Sequence, residues 1–167
     1  PYQSYNFNFN RTNMLGIIGG TGLNKIKDLV IDSEENIDTP YGAMSAPVSM
    51  CHVAGQKIAF LPRHGKDHSI PPHTINYRAN LWGLHHLTVK DIISIATVGS
   101  IKQDIMAGMM VLPDQIIDYT YGREHTFYDG VNGVVEHIDF TYPFDKILRE
   151  TLFGVTKKLK IPKLLEI

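Results

Sequence analysis

Two short stretches carry residue types that could hold an anion. Arg63-His64-Gly65 follows the apolar run Lys57-Ile58-Ala59-Phe60-Leu61-Pro62, and Gly19-Gly20-Thr21-Gly22 follows Leu15-Gly16-Ile17-Ile18. The first stretch supplies a guanidinium fork, which meets the oxygens of a phosphate two at a time, with an imidazole beside it. The second supplies unhindered backbone N–H groups, because glycine lets the chain approach an anion closely, and adds the Thr21 hydroxyl. Each alone has an ordinary structural reading, a glycine turn after a buried strand or a surface arginine at a strand end. Together they form the two halves of a cradle for inorganic phosphate. Gly19-Gly20-Thr21-Gly22 matches neither G-x-G-x-x-G nor G-x-x-x-x-G-K-[ST], so neither a dinucleotide fingerprint nor a P-loop is met.

The remaining polar chemistry is weaker. Among eight histidines, His64, His68 and His73 lie close in sequence and His85-His86 follow. Gly65 and Pro71-Pro72 interrupt helical spacing there, and no H-E-x-x-H or cysteine pair accompanies them, so a metal site is disfavoured. His85 and His86 read as surface or packing residues of a helix. Asp104, Asp114, Asp118 and Asp129 are scattered, and their spacing singles out no general acid or base. The single cysteine, Cys51, cannot close an internal disulfide and sits in the alternating run Val48 to Val53, a strand position rather than a nucleophile.

The elements that must position the cradle follow an α/β pattern. Thr39-Pro40-Tyr41-Gly42 marks a turn, and Val48 to Val53 with Lys57 to Leu61 around Ala54-Gly55-Gln56 reads as a hairpin whose second strand delivers Arg63 and His64. Pro71-Pro72 forbids a helix through the following loop. From about Thr74, the positions Tyr77, Leu81, Leu84 and Leu87 keep helical spacing. Asp91 to Val98 is apolar on both faces, as a central strand covered by helices would be, and stops at Gly99-Ser100. Met109 to Pro113 and Gln115 to Ile117 are further strand candidates, Tyr119 to Gly133 is a polar aromatic loop, and Phe144 to Leu159 is the last helix, with Pro143 in its first turn.

A chain of 167 residues with 43% apolar and 20% charged residues suits one soluble domain. Its net charge of −1 provides no basic field for nucleic acid, and no apolar run is long enough for a membrane span or a signal sequence, so the expected location is cytoplasmic. Residues 1 to 13 are polar and aperiodic and precede Met14, which reads as a natural start. They are expected to be a tag or disordered extension, leaving 14 to 167 as the folded domain, without internal repeat or linker.

Leu15 to Leu23, then Leu61-Pro62-Arg63-His64-Gly65 through His68 and Pro71 to Asn80, then Ala96-Thr97-Val98-Gly99-Ser100, resemble the methylthioadenosine phosphorylase branch of the purine nucleoside phosphorylases. The likeness runs from about Met14 to Lys160. Thr39 to Ala43, Ile117 to Thr120, Gly122 to Thr126 and His137 to Phe140 are most similar to the bacterial subgroup acting on S-methyl-5'-thioinosine. The resemblance implies a nucleoside phosphorylase fold, α/β with a mixed central sheet flanked by helices. It also implies a pentosyl-transferring phosphorylase of purine salvage, which uses inorganic phosphate as co-substrate and needs no cofactor and no metal.

By the same resemblance, Thr21, Arg63 and His64 hold phosphate, with backbone donors at Ala96 and Thr97. Thr97, Val98 and Gly99 wall the base and ribose, and His137 reaches the 5'-substituent pocket of a neighbouring subunit, which implies a homotrimer. Gly108-Met109 stands where the family has Gly-Asp. Family members also continue past Lys160 into E/Q-G-P-R, a Met-Thr pair for ribose and phosphate, and polar groups for the purine. None of these lies before Ile167, so either this is a fragment or residues are omitted. A chain ending there is expected to leave a bare sheet edge and to turn over little.

Other readings stay open at this point. These are a phosphorylase for 5'-methylthioadenosine or for purine nucleosides generally, a nucleosidase of the same fold using water, a catalytically inactive nucleoside- or phosphate-binding module, and a dinucleotide-binding domain. Arg63 and His64 argue against the nucleosidase, and the missing glycine fingerprint argues against the last.

Overall fold

A computed structural model describes residues 14–20, 29–53, 55–131, 133–159 and 164–166. The N-terminal stretch before Met14 and Thr21 of the glycine turn lie outside the described residues. The chain divides into two compact units, one comprising the residues up to Ala96 with Gly122–Phe127, the other Thr97–Tyr121 with the residues from Tyr128 onward.

In the first unit, five strands form one mixed sheet: β1 (Leu15–Gly19), β2 (Val30–Glu35), β3 (Val48–Val53), β4 (Gln56–Pro62) and β5 (Asp91–Ser94), in the order β2-β3-β4-β1-β5. The expected hairpin is β3–β4, antiparallel, with Val53 opposite Gln56. Gly55 at φ +79° supplies the left-handed turn that so short a connection needs. β1 lies parallel to both β4 and β5, pairing Gly19 with Pro62 and Ile18 with Ser94. All three parallel strands therefore deliver their carboxyl ends to the same edge.

The sequence pattern does not announce β2. Its burial is poor, with Val30 and Ile31 more than half exposed, so it lacks the apolar alternation that announces a strand. The register with β3 shifts between Ile31 and Ser33.

Helix α1 (Tyr77–His86) starts three residues later than the spacing suggested. Pro72–Thr74 forms a single 3-10 turn, and Asn76 caps α1 by accepting the Ala79 N–H at 3.0 Å. The buried face is Ala79, Asn80, Gly83 and Leu84, whereas Leu81 is 40% exposed. Small residues let the helix lie close to the chain before β3, where Met44 packs on Gly83, so the contact face combines the large Leu84 with small residues that apolar spacing does not register. Ile18, Ala46, Val48, Ala59, Leu61, Leu84 and Val89 form the core between sheet and helix.

β5 is shorter than the apolar run from Asp91 to Val98 and forms the edge of the sheet among the described residues, not its centre. Ile95 is 46% and Val98 76% exposed. An apolar run reports that both faces want cover; it does not report how many strands flank it.

In the second unit, β6 (Met110–Leu112) pairs in parallel with β7 (Leu164–Glu166). Gln115–Ile117 forms no strand, and Ile117 is 79% exposed. The expected loop is irregular chain from Tyr119 to Val131 and at Gly133. Helix α2 (Lys146–Lys158) is capped by Asp145, whose carboxylate accepts the Leu148 N–H at 2.7 Å. Pro143 therefore precedes the helix instead of occupying its first turn. No helix among the described residues is long and apolar enough to cross a membrane.

Candidate active site

The carboxyl ends of β4, β1 and β5 place Arg63, Gly19-Gly20 and Ile95-Ala96 side by side. Such an edge is where open parallel sheets offer main-chain N–H groups and loops to a ligand. Two main-chain bonds lock the three ends together: the Arg63 N–H donates to Gly19 O at 2.9 Å and the Ile95 N–H donates to Ile18 O at 2.8 Å. Each extends the parallel ladder beyond the last paired residue. The Arg63 guanidinium, half-buried, crosses the end of β1 and donates through Nη1 to Ile95 O at 3.1 Å.

His64 turns into a loop that is itself tied down. The Gly65 N–H donates to Pro62 O at 3.1 Å and the Ile70 N–H to His64 O at 3.0 Å. Gly65 is buried at φ +78°, and a Cβ there would meet Ser45 O at 3.4 Å, so only glycine suits the turn. His64 Nδ1 lies 2.9 Å from Ile70 O. A carbonyl can only accept, so Nδ1 carries the proton, and in the neutral ring Nε2 keeps a lone pair. Arg63 Nε–H faces that lone pair at 3.4 Å, a long and weak contact that a better acceptor can displace. The His68 ring lies against the His64 ring, centroids 4.6 Å apart. Lys66 is engaged elsewhere, donating to both carboxylate oxygens of Glu34 at 2.6 Å.

This edge therefore brings together Arg63, His64 and the main chain at Ala96. Thr97, Val98, Gly99 and His137 belong to the second unit. All four are exposed on irregular chain. Among the described residues, an added Cβ at Gly99 would meet nothing within 4 Å, so none of them demands glycine at that position.

Among the other histidines, His86 stacks on Trp82 at 5.1 Å on the outer face of α1, and His73 lies exposed in the 3-10 turn. Among the described residues, no three His, Cys, Asp or Glu side chains gather as a metal ion would require.

Several contacts that shape the site gave no usable sequence signal. The acceptors for Arg63 and His64 are backbone carbonyls, at Ile95 and Ile70, which any residue provides. Around the start of α1, Arg78 pairs with Glu124 at 3.0 Å and lies 5.1 Å over the Tyr41 ring, and Tyr41 packs edge-on against Phe127 at 5.3 Å. Arg123 donates to the Tyr77 hydroxyl at 3.1 Å. Gly122–Phe127 is thus fastened to the helix that follows the Arg63–Ile70 loop. The long separation in sequence hid this fastening; an Arg-Glu pair flanked by aromatics at 122–127 was its one trace.

A mixed sheet whose parallel strands end on an anchored guanidinium and an imidazole of set tautomer makes this an α/β protein with a candidate oxyanion site. The sequence matches the Phosphorylase superfamily over residues 14–164, and the chain belongs to that superfamily. It is 48% identical over 147 residues to S-methyl-5'-thioadenosine phosphorylase of Thermofilum pendens, covering 88% of this chain and 55% of the relative. It is 39% identical over 143 residues to a probable S-methyl-5'-thioinosine phosphorylase of Xanthomonas campestris, covering 86% and 57%. Among solved structures, a methylthioadenosine phosphorylase from an Antarctic soil metagenomic library superposes with a TM-score of 0.83 at 33% identity, over 92% of this chain and 53% of that one. The chain spans about half the length of the curated relatives it matches. The likeness to the methylthioadenosine phosphorylase branch and the α/β fold with a mixed sheet are both upheld.

Proposed function

We propose that this chain carries the phosphate-binding half of a phosphorylase for 5'-methylthio purine nucleosides. In this reading a phosphate oxygen attacks the anomeric carbon, the bond from that carbon to the purine nitrogen breaks with its electron pair leaving on the base, and the base takes up a proton. The products are the free purine and 5-methylthioribose 1-phosphate. The observation that supports it most is Arg63 held across three strand ends with His64 beside it, an arrangement for grasping an oxyanion in one orientation. Arg63 offers the fork, His64 Nε2 accepts from a P–OH or takes up a proton and donates, and Thr21 with the main chain at Ala96 and Thr97 completes the cradle. A fixed anion beneath the sugar makes the attack effectively unimolecular and sets negative charge against an oxocarbenium-like transition state.

Thr97, Val98 and Gly99 are assigned to the nucleoside, His137 to the 5'-substituent pocket of a neighbouring copy in a cytoplasmic homotrimer, and no cofactor is assigned. The exposed apolar residues of the second unit, among them Val135 at 78%, Ile138 at 56% and Phe140 at 58%, support a covering partner surface. Light scattering of the purified protein should return three times the protomer mass, and a monomer removes the shared site.

The motifs around Gly122–Thr126 favour 5'-methylthioinosine, whereas the relative of higher identity is a 5'-methylthioadenosine enzyme, so the assay offers both. Purified protein is incubated with each nucleoside, with and without phosphate, and release of free base is followed. Release that requires phosphate is expected, with the faster nucleoside naming the preference. Release in water alone overturns phosphorolysis in favour of hydrolysis.

A further inference from the structure

The segment from Gly65 to Ile70 places a histidine where the backbone would be more relaxed with glycine. His68 has φ +54°, one of two non-glycine residues in the left-handed region among the described residues. Its N–H donates to Gly65 O at 3.3 Å, which closes a four-residue turn and returns the chain so that Ile70 N–H can reach His64 O and His64 Nδ1 can reach Ile70 O. A side chain held in this region strains the backbone, and such residues persist where the surrounding structure over-determines them. The His68 side chain makes one ring contact: its imidazole lies against that of His64, centroids 4.6 Å apart and planes inclined by 41°.

These two contacts on His64 are complementary. The bond from Nδ1 to Ile70 O fixes one in-plane direction of the ring but leaves it able to rock about that bond. A second ring against its face removes the rocking and keeps Nε2 turned toward Arg63 Nε, 3.4 Å away. We propose that His68 is a positioning residue for the anion site, holding the His64 imidazole in the plane in which Nε2 meets a bound oxyanion. It acts through the ring face, not through charge, and it rests on the reading of Arg63 and His64 as phosphate ligands. His68 is exposed, so its removal opens no cavity.

His68→Gly and His68→Phe separate this role from a structural one. Glycine removes the ring and relieves the backbone, so thermal stability should be equal to the parent or higher while affinity for inorganic phosphate, measured by calorimetry on the purified protein, falls about three- to tenfold, the range an aromatic pair contributes. Phenylalanine keeps the ring and should stay within about twofold of the parent. Unchanged affinity in His68→Gly, or an equal loss in His68→Phe, overturns the proposal. Nitrogen NMR of the His64 ring without phosphate gives an independent reading. The parent should show a proton held on Nδ1, and His68→Gly should show exchange averaging between the two nitrogens; identical spectra overturn the proposal. Arg63→Ala is run in parallel: phosphate affinity unchanged there removes the phosphate reading itself, and the ring contact is then decided by the NMR comparison.

Discussion

Arg63 and Ile95, thirty-two residues apart in sequence, meet through a 3.1 Å hydrogen bond from the guanidinium to the main-chain carbonyl, directly over the end of the strand between them. The bond uses one N–H of a side chain that has five, so it orients the fork while leaving donors for a ligand. Arg63→Ala should therefore weaken inorganic phosphate binding about 10- to 100-fold, the range of a charge-assisted bidentate contact. Arg63→Lys keeps the charge but cannot hold the carbonyl and an oxyanion in one plane, and should recover only part of that loss. Calorimetric titration with phosphate measures both, and equal binding in all three proteins would count decisively against the strand-end site.

Gly16 sits in the middle of β1, between Ala59 of β4 and Ile92 of β5. A Cβ there would lie 2.7 Å from Val89 Cγ1 and 3.2 Å from Ile92 Cγ1. Val89 is buried at 3% exposure and β-branched, so its χ1 is restricted and its methyl yields less readily than the end of a long side chain. Gly16→Ala should cost about 1–3 kcal/mol as the strand shifts to accommodate the methyl. At Gly20, where an added Cβ meets nothing within 4 Å, the same change should be nearly silent in urea denaturation. Equal midpoints for the two variants would show that β1 is not wedged as closely as its neighbours indicate.

The contrast between those two glycines also shows what was legible in the sequence. The apolar runs ending in glycine or Arg63-His64 located β1 and β4 and the edge at which both end, because a buried strand followed by a special residue leaves a local signature. The hairpin around Gly55 was legible for the same reason. What escaped depends on partners distant in the chain or on backbone atoms: β2, whose pairing with β3 is not written in apolar alternation; the edge placement of β5; and the carbonyls of Ile70 and Ile95 that orient Arg63 and His64. On α1 the periodicity of large residues finds Leu84 and Leu87 but places Leu81 in the core, where it is 40% exposed, and passes over Ala79 and Gly83, which pack by smallness.

Asn80 is buried at 3% exposure and exchanges two hydrogen bonds with Ser45, accepting its N–H at 2.8 Å and donating to its hydroxyl at 2.8 Å. It joins α1 to the chain entering β3, across a part of the core that is otherwise apolar. Truncation to alanine strands the Ser45 N–H in a buried place, so Asn80→Ala should cost about 2–3 kcal/mol. Ser45→Ala removes only the hydroxyl and should cost about half as much. Denaturant titration of the two variants and of the pair checks this: coupling in the double variant is expected, and strictly additive losses would mean that the two residues stabilise the fold separately.

Cys51 in β3 has an elevated pKa, first because burial at 1% exposure disfavours a thiolate and second because the Asp32 carboxylate lies near; Asp32 also pairs with His52 across the β2–β3 ladder. The sign of the linkage follows. A thiol whose folded value exceeds its unfolded one contributes stability that is complete below the unfolded value and is lost as pH rises through the folded value. Stability should therefore decline on the alkaline side, and Cys51→Ala, though less stable at neutral pH through lost packing, should show a shallower alkaline decline. Asp32→Asn removes the second cause only, so the thiol should titrate lower than in the parent yet remain above an exposed cysteine. Native protein should react slowly with a thiol reagent at neutral pH, and fast labelling without denaturant would place Cys51 at the surface and remove the basis for the alkaline effect.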